Sequence, residues 1–348
     1  MRRLNFSQNH KHTEMNTTNK KIFVTRRIPE IAFKMLAEKG YEVEMGKYKT
    51  PPTNKELISF FKKQNKRGIQ YDAVLTLLTD PVDGAFLDAV GPQLQIVSNY
   101  AVGYNNIVLA DAQKKGVEVT NTPGAFSDCI AEHTVAMIFA LTTRLVEADK
   151  YVRAGKYKGW DPMIFIGSDL CGKTIGILGA GHIGERVAKH LGKGFDMPVL
   201  YYDVKRNETL EKEYGAVFCA TPEEIYRKAD IVSLHVPLLP STKHMINEKT
   251  LKMMKPSAIL INTARGPVVD EIALVEALKK GTIAGAGIDV YEFEPKLAKG
   301  LAKLPNVVLT PHIASARTSA RDEMAVLAAQ NIIDVFEGRV PKGKVENK

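Results

Sequence analysis

A chain of 348 residues exceeds one ordinary domain, so two are expected. Hydrophobic residues at 45% supply sizeable cores, and no apolar run approaches the roughly 18 residues that a membrane helix needs. The net charge of +9 is not a nucleic-acid signal, because Met1–Lys21 carries +4 and Arg339–Lys348 carries +3, which leaves +2 on the body rather than a basic face.

Met1–Lys21 is polar, poor in acids and without the apolar stretch of a secretory signal. Residues 1–20 read as a disordered extension, with Met15 as an alternative start. Beyond them, short β-rich runs alternate with helical patterns. Strands are predicted at Lys21–Arg26, Tyr41–Met45, Tyr71–Leu78, Leu94–Asn99 and Val117–Asn121. Helices are predicted at Pro29–Lys39 and Thr53–Lys63, with a short one between the last two strands. This alternation implies parallel sheet with helical crossovers. Thr122-Pro123-Gly124 breaks the chain. A long helix follows over about Ser127–Lys150, where Ile130, Thr134, Met137, Ile138, Leu141 and Leu145 recur at helical spacing. After the loop Gly155–Ser168, the strand Thr174–Leu178 opens a second α/β run. Its later strands are Val199–Tyr202, Ile231–His235, Ala258–Asn262, Ala286–Val290 and Val307–Leu309, and a last helix spans Ala320–Glu337.

The strand Thr174–Leu178 runs into Gly179-Ala180-Gly181-His182-Ile183-Gly184, with a helical pattern from Val187. A lone G-x-G-x-x-G is weak. Here it lies between a strand and a helix, where Gly179 permits a tight turn, Gly181 lets a pyrophosphate approach and Gly184 lets the helix pack on the strand. Asp203 ends the next strand, 19 residues after Gly184, where a carboxylate grips the ribose hydroxyls of NAD(H) and repels the extra phosphate of NADP. Lys205 and Arg206 beyond it read as a solvated loop.

Three further segments end strands of the second run. In Asn262-Thr263-Ala264-Arg265-Gly266, the guanidinium suits a substrate carboxylate, and equally cofactor phosphates or a surface acid. Asp289-Val290-Tyr291-Glu292-Phe293-Glu294-Pro295 offers two alternate acids that also fit a solvated rim. Leu309-Thr310-Pro311-His312-Ile313-Ala314-Ser315 carries a histidine that, taken alone, is more often structural than catalytic.

Together these segments resemble the D-isomer-specific 2-hydroxyacid dehydrogenase family, and within it the glyoxylate/hydroxypyruvate reductase-like members. The resemblance runs over about Ile22–Gly338 and includes Asn99–Ile107 and Ser233-Leu234-His235-Val236-Pro237-Leu238. It implies NAD-dependent reduction of a small 2-oxo acid to its D-2-hydroxy acid. Arg265 then binds the substrate carboxylate, helped by the backbone of Val102 and Gly103. His312 carries the proton and Glu294, the acid directly before the proline, pairs with it. The implied cofactor contacts are Gly179, Gly181, His182, Ile183, Gly184, Asp203, Val236, Pro237, Thr242, Thr263, Ala264, Asp289 and Ala314, with Asp289 on the nicotinamide amide. Relatives bring an aromatic from the segment around Trp160 into the partner subunit's pocket. Two departures stand out: Ile130 precedes Ala131-Glu132 where relatives carry Thr, and Arg317 replaces a commonly small residue.

The implied fold class is α/β, with two doubly wound parallel-sheet domains. A Rossmann coenzyme domain, 123–310, is inserted in a substrate domain formed by 1–122 and 311–348. The long helix after Gly124 is the family's dimer element, so a homodimer is expected. No partner nucleic acid, membrane or metal is expected, since the histidines and Cys129, Cys171 and Cys219 form no ligand cluster. The scattered cysteines suit a reduced, cytoplasmic compartment. Rival readings are a phosphite- or formate-type dehydrogenase on the same scaffold, or a dinucleotide-sensing corepressor that acts by binding proteins.

Overall fold

The computed structural model describes residues 20–124 and 127–346, so the predicted extension falls, apart from Lys20, outside the described residues. The first α/β run contains β1 (Lys21–Val24), α1 (Glu30–Glu38), β2 (Glu42–Met45), α2 (Asn54–Lys66), β3 (Ala73–Leu77), α3 (Gly84–Val90), β4 (Ile96–Tyr100), α4 (Leu109–Lys114) and β5 (Glu118–Thr120). The strands form one parallel sheet in the order β2-β1-β3-β4-β5. Ile22, Phe23, Val24, Ala73, Val74 and Leu75 are all buried, as sheets covered on both faces require. Phe23, Phe61, Tyr71 and Phe86 pack edge to face in this core. The sequence reading misses α3, although Asp83 caps it by accepting from the Phe86 N–H at 2.8 Å.

The second run contains α5 (Ser127–Thr142), α6 (Leu145–Arg153), β6 (Ile175–Leu178), α7 (His182–Ala188), β7 (Val199–Tyr202), α8 (Glu208–Tyr214), β8 (Val217–Phe218) and α9 (Pro222–Lys228). It continues through β9 (Ile231–Leu234), α10 (Glu248–Leu251), β10 (Ile259–Asn262), α11 (Glu271–Lys279), β11 (Gly285–Ile288), β12 (Val307–Leu309) and α12 (Thr318–Phe336). Its parallel sheet has the order β12-β11-β10-β9-β6-β7-β8. The chain winds outward from β6 to β8, then returns to β9 and winds the other way. Strand order therefore reverses between β6 and β9, and in such sheets ligands bind outside the carboxyl ends of the strands at the reversal.

The predicted long helix is broken. α5 ends at Thr142, and α6 departs at 64°. The Thr142 and Thr143 hydroxyls bond back to the Ile138 and Phe139 carbonyls, at 3.0 and 2.6 Å, which weakens the helical ladder. The Ser168 N–H takes the Thr142 carbonyl, and Arg144 adopts a left-handed φ of 54° while its guanidinium grips Glu147. Leu145, which continued the helical period in sequence, is exposed.

The described residues divide into two units: 20–124 with 321–346, and 127–320. The chain thus returns to the first unit at Arg321, inside α12, rather than at Pro311 as the sequence boundary has it. The cause is local. The Ile313 and Ala314 N–H groups both bond to the Asp289 carboxylate, at 2.8 and 2.9 Å, and hold the segment after β12 to the seven-stranded sheet.

Candidate active site

The glycine loop joins β6 to α7 at the reversal point. Gly179 has φ +99°, and a Cβ there would lie 2.6 Å from the His235 carbonyl carbon beyond β9. A Cβ on Gly184 would lie 2.2 Å from the Gly179 oxygen, so the helix can pack this closely only without one. At Gly181 a Cβ would meet nothing within 4 Å. The loop is therefore crowded towards the protein and open where Gly181, His182 and Ile183 begin the helix. Its uncapped N–H groups suit a pyrophosphate. Asp203, just past β7, accepts from the Ala180 N–H at 2.7 Å, which sets its carboxylate beside this loop. Arg206 is turned away: it grips Glu211 through two hydrogen bonds of 3.0 and 2.8 Å and lies over the Phe218 ring. These features fit a dinucleotide, whose adenosine ribose Asp203 would hold.

Val236 and Pro237 follow β9. Thr242 closes their loop on itself, its hydroxyl bonding to the Pro237 carbonyl at 2.6 Å and accepting from the Leu239 N–H. Thr263 and Ala264 follow β10. The Ala264 N–H bonds to Asn262, and the Arg265 guanidinium reaches the Ala264 carbonyl at 2.7 Å. Burial draws the Arg265 pKa down while the charge of Glu294 opposes that shift, so the two groups lie within electrostatic reach. A Cβ on Gly266 would sit 1.9 Å from the Tyr291 oxygen, so only glycine lets the arginine loop press against the loop that carries the two acids.

Glu294 receives His312 Nδ1 at 3.2 Å on one oxygen and the Tyr291 N–H at 2.9 Å on the other. Burial opposes its ionisation, but these bonds outweigh it and hold the carboxyl below its usual range. Glu292 faces elsewhere: it binds His244 Nε2 at 2.6 Å and the Glu271 N–H. The geometry thus separates the two acids that the residues alone left equivalent.

Asp289 is fully buried. Its oxygens accept from the Thr310 hydroxyl, the Ile313 N–H and the Ala314 N–H, and His133 Nε2 lies 3.6 Å away. Burial pushes its pKa up, but these partners more than offset that and leave it low. In this arrangement Asp289 holds the loop of His312, whose own φ is 56°. Of the two departures in sequence, Arg317 forms an exposed pair with Glu132, and the Ile130 carbonyl accepts from Thr134.

Within 127–320 the structure brings together Arg265, Glu294, His312, Asp289 and Ala314. Val102 and Gly103 belong to the first unit, just beyond β4, where Asn121 and Asn99 hold their carbonyls at 2.7 and 2.9 Å. Trp160 lies in the loop after α6 and is 84% exposed.

Residues 135–314 match the model of the D-isomer specific 2-hydroxyacid dehydrogenase NAD binding domain. A glyoxylate reductase of Thermococcus litoralis is 47% identical over 329 residues, covering 93% of this chain and 96% of that protein. A glyoxylate reductase of Korarchaeum cryptofilum is 46% identical over 330 residues, covering 94% and 96%. The crystal structure of an NADPH-dependent glyoxylate/hydroxypyruvate reductase from Sinorhizobium meliloti, in complex with NADP and malonate, superposes with a TM-score of 0.80 at 30% identity, covering 94% of this chain and 97% of that one.

Proposed function

The chain belongs to the D-isomer-specific 2-hydroxyacid dehydrogenase family, and from that premise we propose that it reduces a small 2-oxo acid of the glyoxylate/hydroxypyruvate type with NADH. The observation that carries the reading is the pairing of His312 with Glu294 beside Arg265, on the same sheet edge as the glycine loop. The bound nicotinamide supplies the hydride. Arg265 clamps the substrate carboxylate and, with His312, stabilises negative charge developing on the carbonyl oxygen. Glu294 accepts Nδ1–H, so the proton delivered to that oxygen leaves from Nε2 of His312. Asp203, with Arg206 already engaged by Glu211, favours NAD(H) over NADP(H). The names of the relatives favour this reading over the phosphite, formate and corepressor alternatives.

A homodimer and a cytoplasmic location belong to the same proposal. Leu145, Val152, Tyr157, Trp160, Met163 and Ile166 are exposed along α6 and the loop behind it, and these apolar side chains are ones a second copy would cover. Among the described residues no single helix is long and apolar enough to cross a membrane.

The test is a panel of 2-oxo acids assayed with NADH and NADPH. Turnover of glyoxylate or hydroxypyruvate with NADH is expected. Cofactor binding with no turnover of any oxo acid would overturn the enzyme reading, and faster turnover of 2-oxoisocaproate would overturn the substrate size.

A further inference from the structure

Two consecutive residues of α5 reach both loops that carry the proposed chemistry. The Thr310 hydroxyl gives its hydrogen to Asp289, so the contact between His133 Nε2 and Thr310 Oγ1, at 3.1 Å, needs His133 as the donor. Thr310 stands two residues before His312. The Thr134 hydroxyl gives its hydrogen to the Ile130 carbonyl at 2.9 Å, so its 3.0 Å contact with Thr263 needs Thr263 as the donor. Thr263 stands two residues before Arg265. His133, Thr134 and Thr263 are buried and Thr310 is half-buried, so each lost bond leaves a partner with little access to solvent.

The pattern repeats: a threonine hydroxyl two residues ahead of the working side chain is tied to the same turn of one helix. Around His133 the arrangement continues through Asp289 to the N–H groups of Ile313 and Ala314, the two residues after His312. α5 packs against the sheet through Ala131, Met137 and Ile138, so it is a rigid post.

We propose that His133 and Thr134 are positioning residues, His133 for the His312 loop and Thr134 for the Arg265 loop. This rests on the reading above that those two loops do the chemistry. A shift of about 1 Å in a reacting group is worth up to about 100-fold in rate, so losing one buried tether moves kinetics well before it unfolds the protein.

The test uses matched variants of the full chain. His133→Phe fills the slot without a donor, whereas His133→Gln keeps an N–H at similar reach. Thr134→Val removes the hydroxyl, whereas Thr134→Ser keeps it. Hydrogen–deuterium exchange of the free protein should rise by about 10-fold or more across 310–315 in H133F, and across 262–266 in T134V, with wild-type protection returning in H133Q and T134S. In turnover, H133F should lower kcat by about 10-fold with little change in KM, and T134V should chiefly raise KM for the oxo acid. H133F combined with Thr310→Val should cost less than the sum of the two single variants. A wild-type protein inert on every oxo acid would overturn the catalytic reading alone, and exchange would still decide the tethers. Unchanged exchange and unchanged kinetics in H133F and T134V overturn the positioning roles. Equal losses in both loops, unrescued by H133Q and T134S, overturn them too and make these residues ordinary core.

Discussion

The glycine loop after β6 and the histidine loop after β12 stand at the carboxyl edge of one sheet, yet they are held in shape by different forces. The glycine loop is held by sterics: Gly179 and Gly184 let the backbone approach His235 and the loop's own carbonyl at distances no Cβ tolerates. The histidine loop contains no glycine. It is held by a buried carboxylate and its donors, Thr310, Ile313 and Ala314, with His133 behind them. A loop shaped by missing side chains breaks when atoms are added. A loop shaped by polar partners breaks when one partner is removed.

The largest expected effect separates binding from chemistry. His312→Ala should lower kcat by about 100-fold or more while leaving NADH affinity, read by fluorescence titration, near the wild-type value. Weakened NADH binding in this variant would show that the histidine loop also shapes the cofactor site.

Gly184→Val should do the reverse. Overpacking against the Gly179 carbonyl costs about 1–3 kcal/mol and displaces the helix start, so melting temperature and NADH affinity should fall together. Normal affinity in a stably folded G184V would mean that α7 can shift without disturbing the loop.

The polar loop also has an acid weakness. Asp289 is held low, so it contributes stability that is present above its unfolded value of about 3.9 and is lost as pH falls through its lowered folded value. Asp289→Asn should be less stable at pH 7 by about 1–3 kcal/mol, and that gap should close below roughly pH 4 in denaturant titrations. A gap independent of pH would show that the carboxylate's charge is not what holds the loop.

Glu294→Gln should act more gently. Some activity should remain, with kcat lowered less than in His312→Ala, because the neutral amide oxygen can still accept from Nδ1 of His312. Full activity in this variant would assign Glu294 to the rim.

The smallest effect is expected at the glycine loop's own acid. Asp203→Ala should narrow the preference for NADH over NADPH by several-fold without reversing it, because Arg206 stays engaged with Glu211 and Phe218. A wild-type preference for NADPH would remove the premise.

Much of this is legible in the sequence. The β/α alternation, the glycine loop and Asp203 depend on periodicity and spacing within about 30 residues. Local sterics act at that range, so the sequence by itself determined both parallel sheets apart from the short β8, and the glycine loop between β6 and α7. Missed elements such as α3 are short and lie close to neighbouring strands in sequence, though the Asp83 cap and the Phe86, Leu87 and Val90 stripe were available signals.

Tertiary structure decided the rest. Whether Glu292 or Glu294 meets His312 depends on His244, almost 50 residues earlier, claiming Glu292. The break after Thr142 depends on Ser168 returning to its carbonyl. The return of the chain at Arg321 depends on Asp289 capturing two N–H groups past β12. The tether from His133 to Thr310 spans 177 positions. Each of these is a polar contact between groups far apart in the chain. Such partners are chosen by which donors and acceptors are buried together, because an unpaired one is costly in the interior. Periodicity carries no record of that choice, and only the folded chain makes it.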